Sequence, residues 1–183
     1  QVWEQSLLTE FTELRRRLRA ASARMCEQPR QCFHDSLPAP ADISGWEAFC
    51  LGGRTAAANA HAGGQLPLLS IILQLDQENA MALLQAIHAR LECDGLSEPL
   101  SRWIFALLAR IERALPADHA AALRALLRTC AKLRAELGCE LGSELGHSSD
   151  PTPPHLHQTN RVAALNTLIC ILGNFFGQGS QDE

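Results

Sequence analysis

Apolar residues return every three or four positions along the first stretch of the chain, at Trp3, Leu7, Phe11, Leu14, Leu18, Ala21 and Met25. That is the period of one helical face, and it predicts an amphipathic helix over residues 2–25. Glu10, Glu13, Arg15, Arg16, Arg17, Arg19 and Arg24 fall on the other faces, which assigns them to water. A stripe this apolar is not stable alone, so the helix has to dock on something. The period then breaks. Residues 26–65 are punctuated by Pro29, Pro38, Pro40, Gly45, Gly52, Gly53, Gly63 and Gly64 and read as irregular. Inside them, "ISGWEAFCLGG" lets Ser44 cap one short turn whose Trp46, Phe49 and Cys50 pin the segment to the body.

From Leu66 onward the pattern is helix after helix. "LPLLSIILQL" predicts a short buried helix over 66–75. Asp76 caps the next, 77–93, with Met81, Leu83, Leu84, Ile87 and Leu91 inward and Gly95 as its stop. Ser97 caps another that carries Pro99 in its first turn and runs to Pro116. A further helix covers 117–137, with Leu123, Leu126, Leu127, Cys130 and Leu133 on its apolar side. Residues 138–158 are rich in Gly, Ser and Pro and read as a mobile loop. The last helix, 160–176, is apolar almost throughout, and Gly177 ends it. Alternating strand patterns do not occur. The fold class is therefore all-α, an antiparallel bundle of five to six helices in a single domain spanning 1–183.

The helix after Ser97 raises a problem of its own. Trp103 to Ala109 are seven apolar residues in succession, and Arg102, Arg110, Glu112 and Arg113 crowd toward the ends. A bundle helix needs one buried stripe, so this one has apolar surface to spare.

Chemistry is sparse. The chain has 183 residues and can bury roughly 70 % of its unfolded surface without a disulfide or metal. No apolar run reaches the about 20 residues of a membrane helix, and no charged segment with an apolar core opens the chain. Seven cysteines, an odd count without C-x-x-C spacing, point to reduced thiols in a cytosolic or nuclear protein. Phosphate-loop, dinucleotide, nucleophile-elbow and H-E-x-x-H motifs are absent. His155 with His157, and Cys32 with His34, lack partners at zinc spacing. Arg128 and Lys132 flank Cys130, but that thiol falls on an apolar face, where cysteine acts as a small hydrophobe. An enzyme is disfavoured, and no cofactor or metal is called for. Net charge is −4, yet residues 100–135 carry Arg102, Arg110, Arg113, Arg124, Arg128, Lys132 and Arg134 against Glu112 and Asp118. Three readings stay open for that local excess: a solvated face, a nucleic-acid surface, or a seat for an acidic peptide.

"GWEAFCLG" (45–52), "PLLSII" (67–72), "RWIFALLA" (102–109) and "RVAALNTLICIL" (161–172), in that order, resemble the Gemin family that partners the survival of motor neuron protein. "QVWEQSLLTEFTELRRRL" (1–18) is similar to the helix that opens the family's carboxy-terminal domain. Residues 26–43 match nothing in the family, and the loop 138–158 looks expanded. The resemblance implies a non-enzymatic adaptor of spliceosomal small nuclear ribonucleoprotein (snRNP) assembly. It would accept an acidic amphipathic helix of the survival of motor neuron protein and hold Sm proteins. It also implies other Gemin proteins as partners, a cytoplasmic and nuclear location including nuclear bodies, no membrane, and no sequence-specific contact with nucleic acid. An extended arm before Gln1 is expected on the same ground. On this reading Arg102, Trp103, Phe105, Ala106, Ala109, Ile169, Leu172 and Phe176 line the groove for the partner helix. Residues 66–75 of the chain itself are the other candidate to fill it. Trp3, Leu7, Phe11, Leu14 and Leu18 dock on the bundle or on an Sm protein. Native mass spectrometry without reductant is expected to show seven free thiols and no zinc, and a bound metal would contradict this reading.

Overall fold

Three of the helix starts are written in side chains. Asp42 accepts from the Gly45 amide at 2.9 Å, Asp76 from the Asn79 amide at 2.7 Å, and Ser97 from the Leu100 amide at 3.4 Å. Each satisfies one of the amides that a helix start leaves without a partner. The computed structural model describes residues 2–27, 37–39, 41–52, 64–144 and 154–178. They form α1 (Val2–Glu27), α2 (Ile43–Leu51), α3 (Leu69–Ile72), α4 (Gln77–Asp94), α5 (Glu98–Arg110), α6 (Ala117–Glu144) and α7 (Pro154–Cys170). α7 runs on into a π-helical turn, Ile171–Phe175. The described residues contain no strand, and none of their helices is long and apolar enough to cross a membrane. The all-α class holds, with seven α-helices among the described residues where five to six and a short turn were expected.

α5 is the hub. It packs against α1, α2, α3, α4 and α7, while α6 lies along α7 and touches α4. Its inner stripe, Leu100, Trp103, Ile104, Leu107 and Leu108, is buried with Leu83, Ile87 and Leu91 of α4 and Ile71 of α3. The Trp103 indole N–H donates to the Gln65 carbonyl at 2.7 Å, and the Gln65 amide donates to the Phe49 carbonyl at 2.8 Å. This ties the backbone before α3 to both α2 and α5. Gly64 makes the close approach possible: its φ is +67°, and a Cβ there would lie 2.3 Å from the Cys50 carbonyl oxygen. Arg90 of α4 bridges Glu47 of α2 at 3.1 Å and Asp94 at 2.8 Å, which fixes α2 from its outer side.

Arg15 departs most from the sequence reading. The helical period sends it to water, but it is 4 % exposed. Its Nη1 donates to the carbonyls of Leu108 at 2.7 Å and Ala109 at 3.0 Å, the last turn of α5. The guanidinium also stands 5.0 Å from the Phe175 ring centre, 5.7 Å from Phe176 and 5.8 Å from Phe11, with Glu112 at 3.9 Å. Burial, and then the positive charge of Arg19, lowers its pKa to about 10, so it stays charged at neutral pH. A cation at the carboxy end of a helix meets orphan carbonyls and the negative end of the helix dipole. With those carbonyls taken, α5 stops at Arg110, short of the expected Pro116. Ile111 turns extended and buries its side chain completely.

Four other expectations change. Asp42 caps α2 in place of Ser44, whose hydroxyl donates to the Asp42 carboxylate at 3.0 Å. Only Leu69–Ile72 of the 66–75 segment is helical, and Leu66, Leu68 and Leu69 are exposed. Leu68 is extended and stands as the N-cap, so the helix starts at Leu69. α6 continues through Gly138 and Gly142 to Glu144. Each interior glycine costs about 1 kcal/mol relative to alanine, which the helix tolerates beyond the buried Leu137. α7 starts at Pro154, a favoured first position. What remains of the expected loop, residues 145–153, lies outside the described residues, as do 28–36, 40 and 53–63 of the irregular segment.

Two predictions follow from this packing. Arg15→Ala leaves two carbonyls and three ring faces without their cation, and an orphaned buried group costs about 1–3 kcal/mol. Thermal and urea unfolding should show a loss of about 2–4 kcal/mol, with Arg15→Lys between the two; unchanged stability would contradict the role given to Arg15. The second concerns His88, whose Nε2 lies 2.8 Å from the Thr129 hydroxyl and 3.5 Å from Glu92. Burial depresses the His88 pKa, partly offset by Glu92. The unfolded chain takes up this proton near its ordinary value of 6.5, before the folded chain does. Stability from this site is therefore complete above that pH and is lost as pH falls through the folded value. His88→Gln should flatten stability between pH 7 and 5, and an unchanged slope would refute the assignment.

Candidate functional site

α5 carries two apolar stripes. The first is the core stripe ending at Leu108. The second, Phe105, Ala106 and Ala109 with Ser101 and Arg102 at its head, follows the same three-and-four spacing on the opposite side and faces an open groove. This answers why seven apolar residues run together. Leu14 and Leu18 of α1 form one wall. Pro67, with Leu69 and Ile72 of α3, shapes a second side, and Ala164, Thr167 and Leu168 of α7 complete the lining. The open volume is about 470 Å³. Ala106, Ala109 and Ala164 make the floor shallow, which allows another backbone to come close. Leu69 is 55 % exposed, so the short α3 borders the groove and does not fill it.

Arg102 stands at the rim, half exposed, and pairs with Glu98 one turn earlier. An exposed pair of this kind contributes about 0–1 kcal/mol, so a partner carboxylate can replace Glu98 at little cost.

The structure brings together four of the sequence-derived groove residues, Arg102, Phe105, Ala106 and Ala109. It places the other four elsewhere. Trp103 is fully buried in the core with its indole N–H paired to Gln65. Leu172 is fully buried, and Phe176 is buried at the Arg15 guanidinium. Ile169 packs half-buried against the core away from the groove lining. α7 and the π-helical turn after it spend those positions on α6 and on the Arg15 pocket, leaving the α7 stripe of Ala164, Thr167 and Leu168 for the groove. On α1, Phe11 and Arg15 point inward, Leu14 and Leu18 line the groove, Leu7 is half-buried, and Trp3 is 49 % exposed. Sequence reasoning missed the small residues Ala164 and Thr167, which carry no hydropathy signal. It also missed the α3 wall, although "LPLLSIIL" has more apolar residues than four helical positions can bury.

The cations of 102–134 do not form one free face. Arg113 lies 5.4 Å over the Phe175 ring, Arg124 donates to Gln178 at 3.1 Å, and Lys132 pairs with Glu136 at 3.9 Å. Burial pushes the Cys130 thiol up to about 12 and raises the Cys50 thiol well above its ordinary value, so neither is a thiolate at neutral pH. No group of three or more His, Cys, Asp or Glu able to hold a metal occurs among the described residues. His155, His157, Cys32 and His34 have side chains outside the described set.

Known proteins are similar to this chain in sequence and in fold. A family model described as "Survival motor neuron (SMN) interacting protein 1 (SIP1)" matches residues 1–179. Gem-associated protein 2 of Xenopus laevis is 30 % identical over 190 residues, covering 96 % of this chain and 66 % of that protein. Gem-associated protein 2 of Mus musculus is 26 % identical over 189 residues, covering 96 % and 64 %. The chain thus spans about two thirds of the length of these relatives. A chain of the solved structure "The 8S snRNP Assembly Intermediate" has the same fold, with a TM-score of 0.67 over 97 % of this chain and 71 % of that one, at 21 % identity. The match over residues 1–179 establishes what the ordered segments at 1–18, 45–52, 67–72, 102–109 and 161–172 resembled: the chain belongs to the survival motor neuron interacting protein 1 family.

Proposed function

We propose that this chain is a non-enzymatic adaptor of snRNP core assembly. Its groove receives an amphipathic, acidic helix of the survival of motor neuron protein, and the chain holds Sm proteins alongside other Gemin proteins, in the cytoplasm and nucleus. The observation that carries the reading is the open second stripe of α5, an apolar floor with walls from α1, α3 and α7 and an arginine at its rim. Family membership supports the choice of partner. Exposed apolar surface is disfavoured by about 25 cal/mol per Å², so a groove kept apolar along four elements is best explained by a helix that covers it. Val2 and Trp3, exposed at the start of α1, suit contact with an Sm protein. Cys50 and Cys130 are buried in the core, which makes them poor candidates for a nucleophile. The engagement of Arg102, Arg113, Arg124 and Lys132 weighs against the nucleic-acid reading.

Two substitutions test the groove. Ala106→Trp fills its floor, and Arg102→Glu reverses its rim. Each should weaken binding of the survival of motor neuron protein by about tenfold or more, consistent with loss of a partly desolvated Arg–carboxylate bond in the second case. Both positions border open space, so the melting temperature of the free chain should hold. Parent-like binding by both variants, in isothermal titration, would place the partner on another face.

A further inference from the structure

Arg161 of α7 and Arg110 at the end of α5 each keep a buried Nε–H that has no hydrogen-bond partner among the described residues. Buried donors are paired in the great majority of folded proteins, so an orphan asks for an explanation. Neither arginine has a carboxylate partner among the described residues, unlike Arg15, Arg19, Arg90 and Arg102, which all do.

Their positions share one feature. Arg161 lines a recess of about 400 Å³ with Ser97 and Asn160, and that recess shares Ser101, Arg102 and Ala164 with the groove. It opens off the groove at the start of α5. Arg110 lines a recess of about 280 Å³ with Ser22 and Ala23, and that one shares Leu18 and Ala109 with the groove. It opens off the opposite end. An acid borders each recess, but Glu98 is engaged by Arg102 and Glu112 by Arg19. Each end of the apolar floor therefore holds a guanidinium with unspent donors.

Resting on the helix-docking reading above, we propose that the groove has a cationic stop at each end. It selects a helix whose apolar face is bracketed by two carboxylates, one reaching Arg161 and the other Arg110. The apolar floor gives adhesion, and the two stops fix the register and length of the occupant. A helix with acids at one end only leaves one buried Nε–H unpaired and binds less well.

The test uses the whole chain and a displayed library of 18-residue helical peptides. The library has a fixed apolar face and free choice of Asp, Glu, Gln, Asn or Lys at the flanking positions. Selection on the parent chain should enrich an acid on both sides of the apolar face. Arg161→Gln should abolish the enrichment on one side and Arg110→Gln on the other, and each should weaken a two-acid peptide by about tenfold. Arg→Lys at either site should restore part of the affinity. No enriched peptides, enrichment on one side only, or an unchanged pattern in both Gln variants would overturn the proposal. The parent selection decides even if a Gln variant does not fold. Competition by the survival of motor neuron protein reports separately on the partner: bracketed peptides that it fails to displace sink the proposed partner and leave the two stops standing.

Discussion

The guanidinium of Arg15 is where α1, the end of α5 and the turn after α7 meet, and the geometry of the groove depends on it. Burying a lone cation is prohibitive unless it is fully engaged. Arg15 meets that demand with two carbonyls of α5, the rings of Phe11, Phe175 and Phe176, and the carboxylate of Glu112. Engaging all of these at once leaves little freedom. α5 has to end within a turn of Ala109, Ile111 has to turn inward, and α1 has to cross α5 at that end. The crossing brings Leu14 and Leu18 to the edge of the α5 outer stripe, where they become a wall of the groove.

α5 itself then explains the groove's floor. A helix at the centre of a bundle buries one stripe on its neighbours. Here the opposite stripe is also apolar, and among the described residues it is flanked by α1, α7 and the single turn of α3. α3 runs for one turn after the extended Leu68, so it borders the floor without covering it. Small residues on α5 and α7 keep it shallow, and polar recesses mark both ends. On the proposed reading, a surface of this kind takes the face of a partner helix.

The sequence shows the helices well and the site half. Period and caps locate α1, α4, α5 and α6 because their apolar faces are regular and their starts carry Asp76, Ser97 or Pro116. The ends are harder. α5 stops early for a tertiary reason, the carbonyls given to a residue more than ninety positions away, and no local signal records that. Arg15 sits on the same helical side as Phe11 and Leu18, four and three positions away, which is the one hint of its burial. Of the groove, Arg102, Phe105, Ala106 and Ala109 are legible because the apolar run is too long for one stripe. Trp103 is misread because a run apolar all round does not say which side is core. Ala164 and Thr167 are invisible to hydropathy, since a groove floor needs small side chains and not apolar ones.

Amide hydrogen exchange of the whole chain, alone and with the survival of motor neuron protein, tests most directly that the outer face of α5 is the docking surface. Exchange should slow along residues 101–109 of α5, in α3, and near Leu14–Leu18 and Ala164–Leu168, while the exposed side of α6 is unchanged. Protection confined to α6, or none at all upon a binding event seen by another method, would contradict the account.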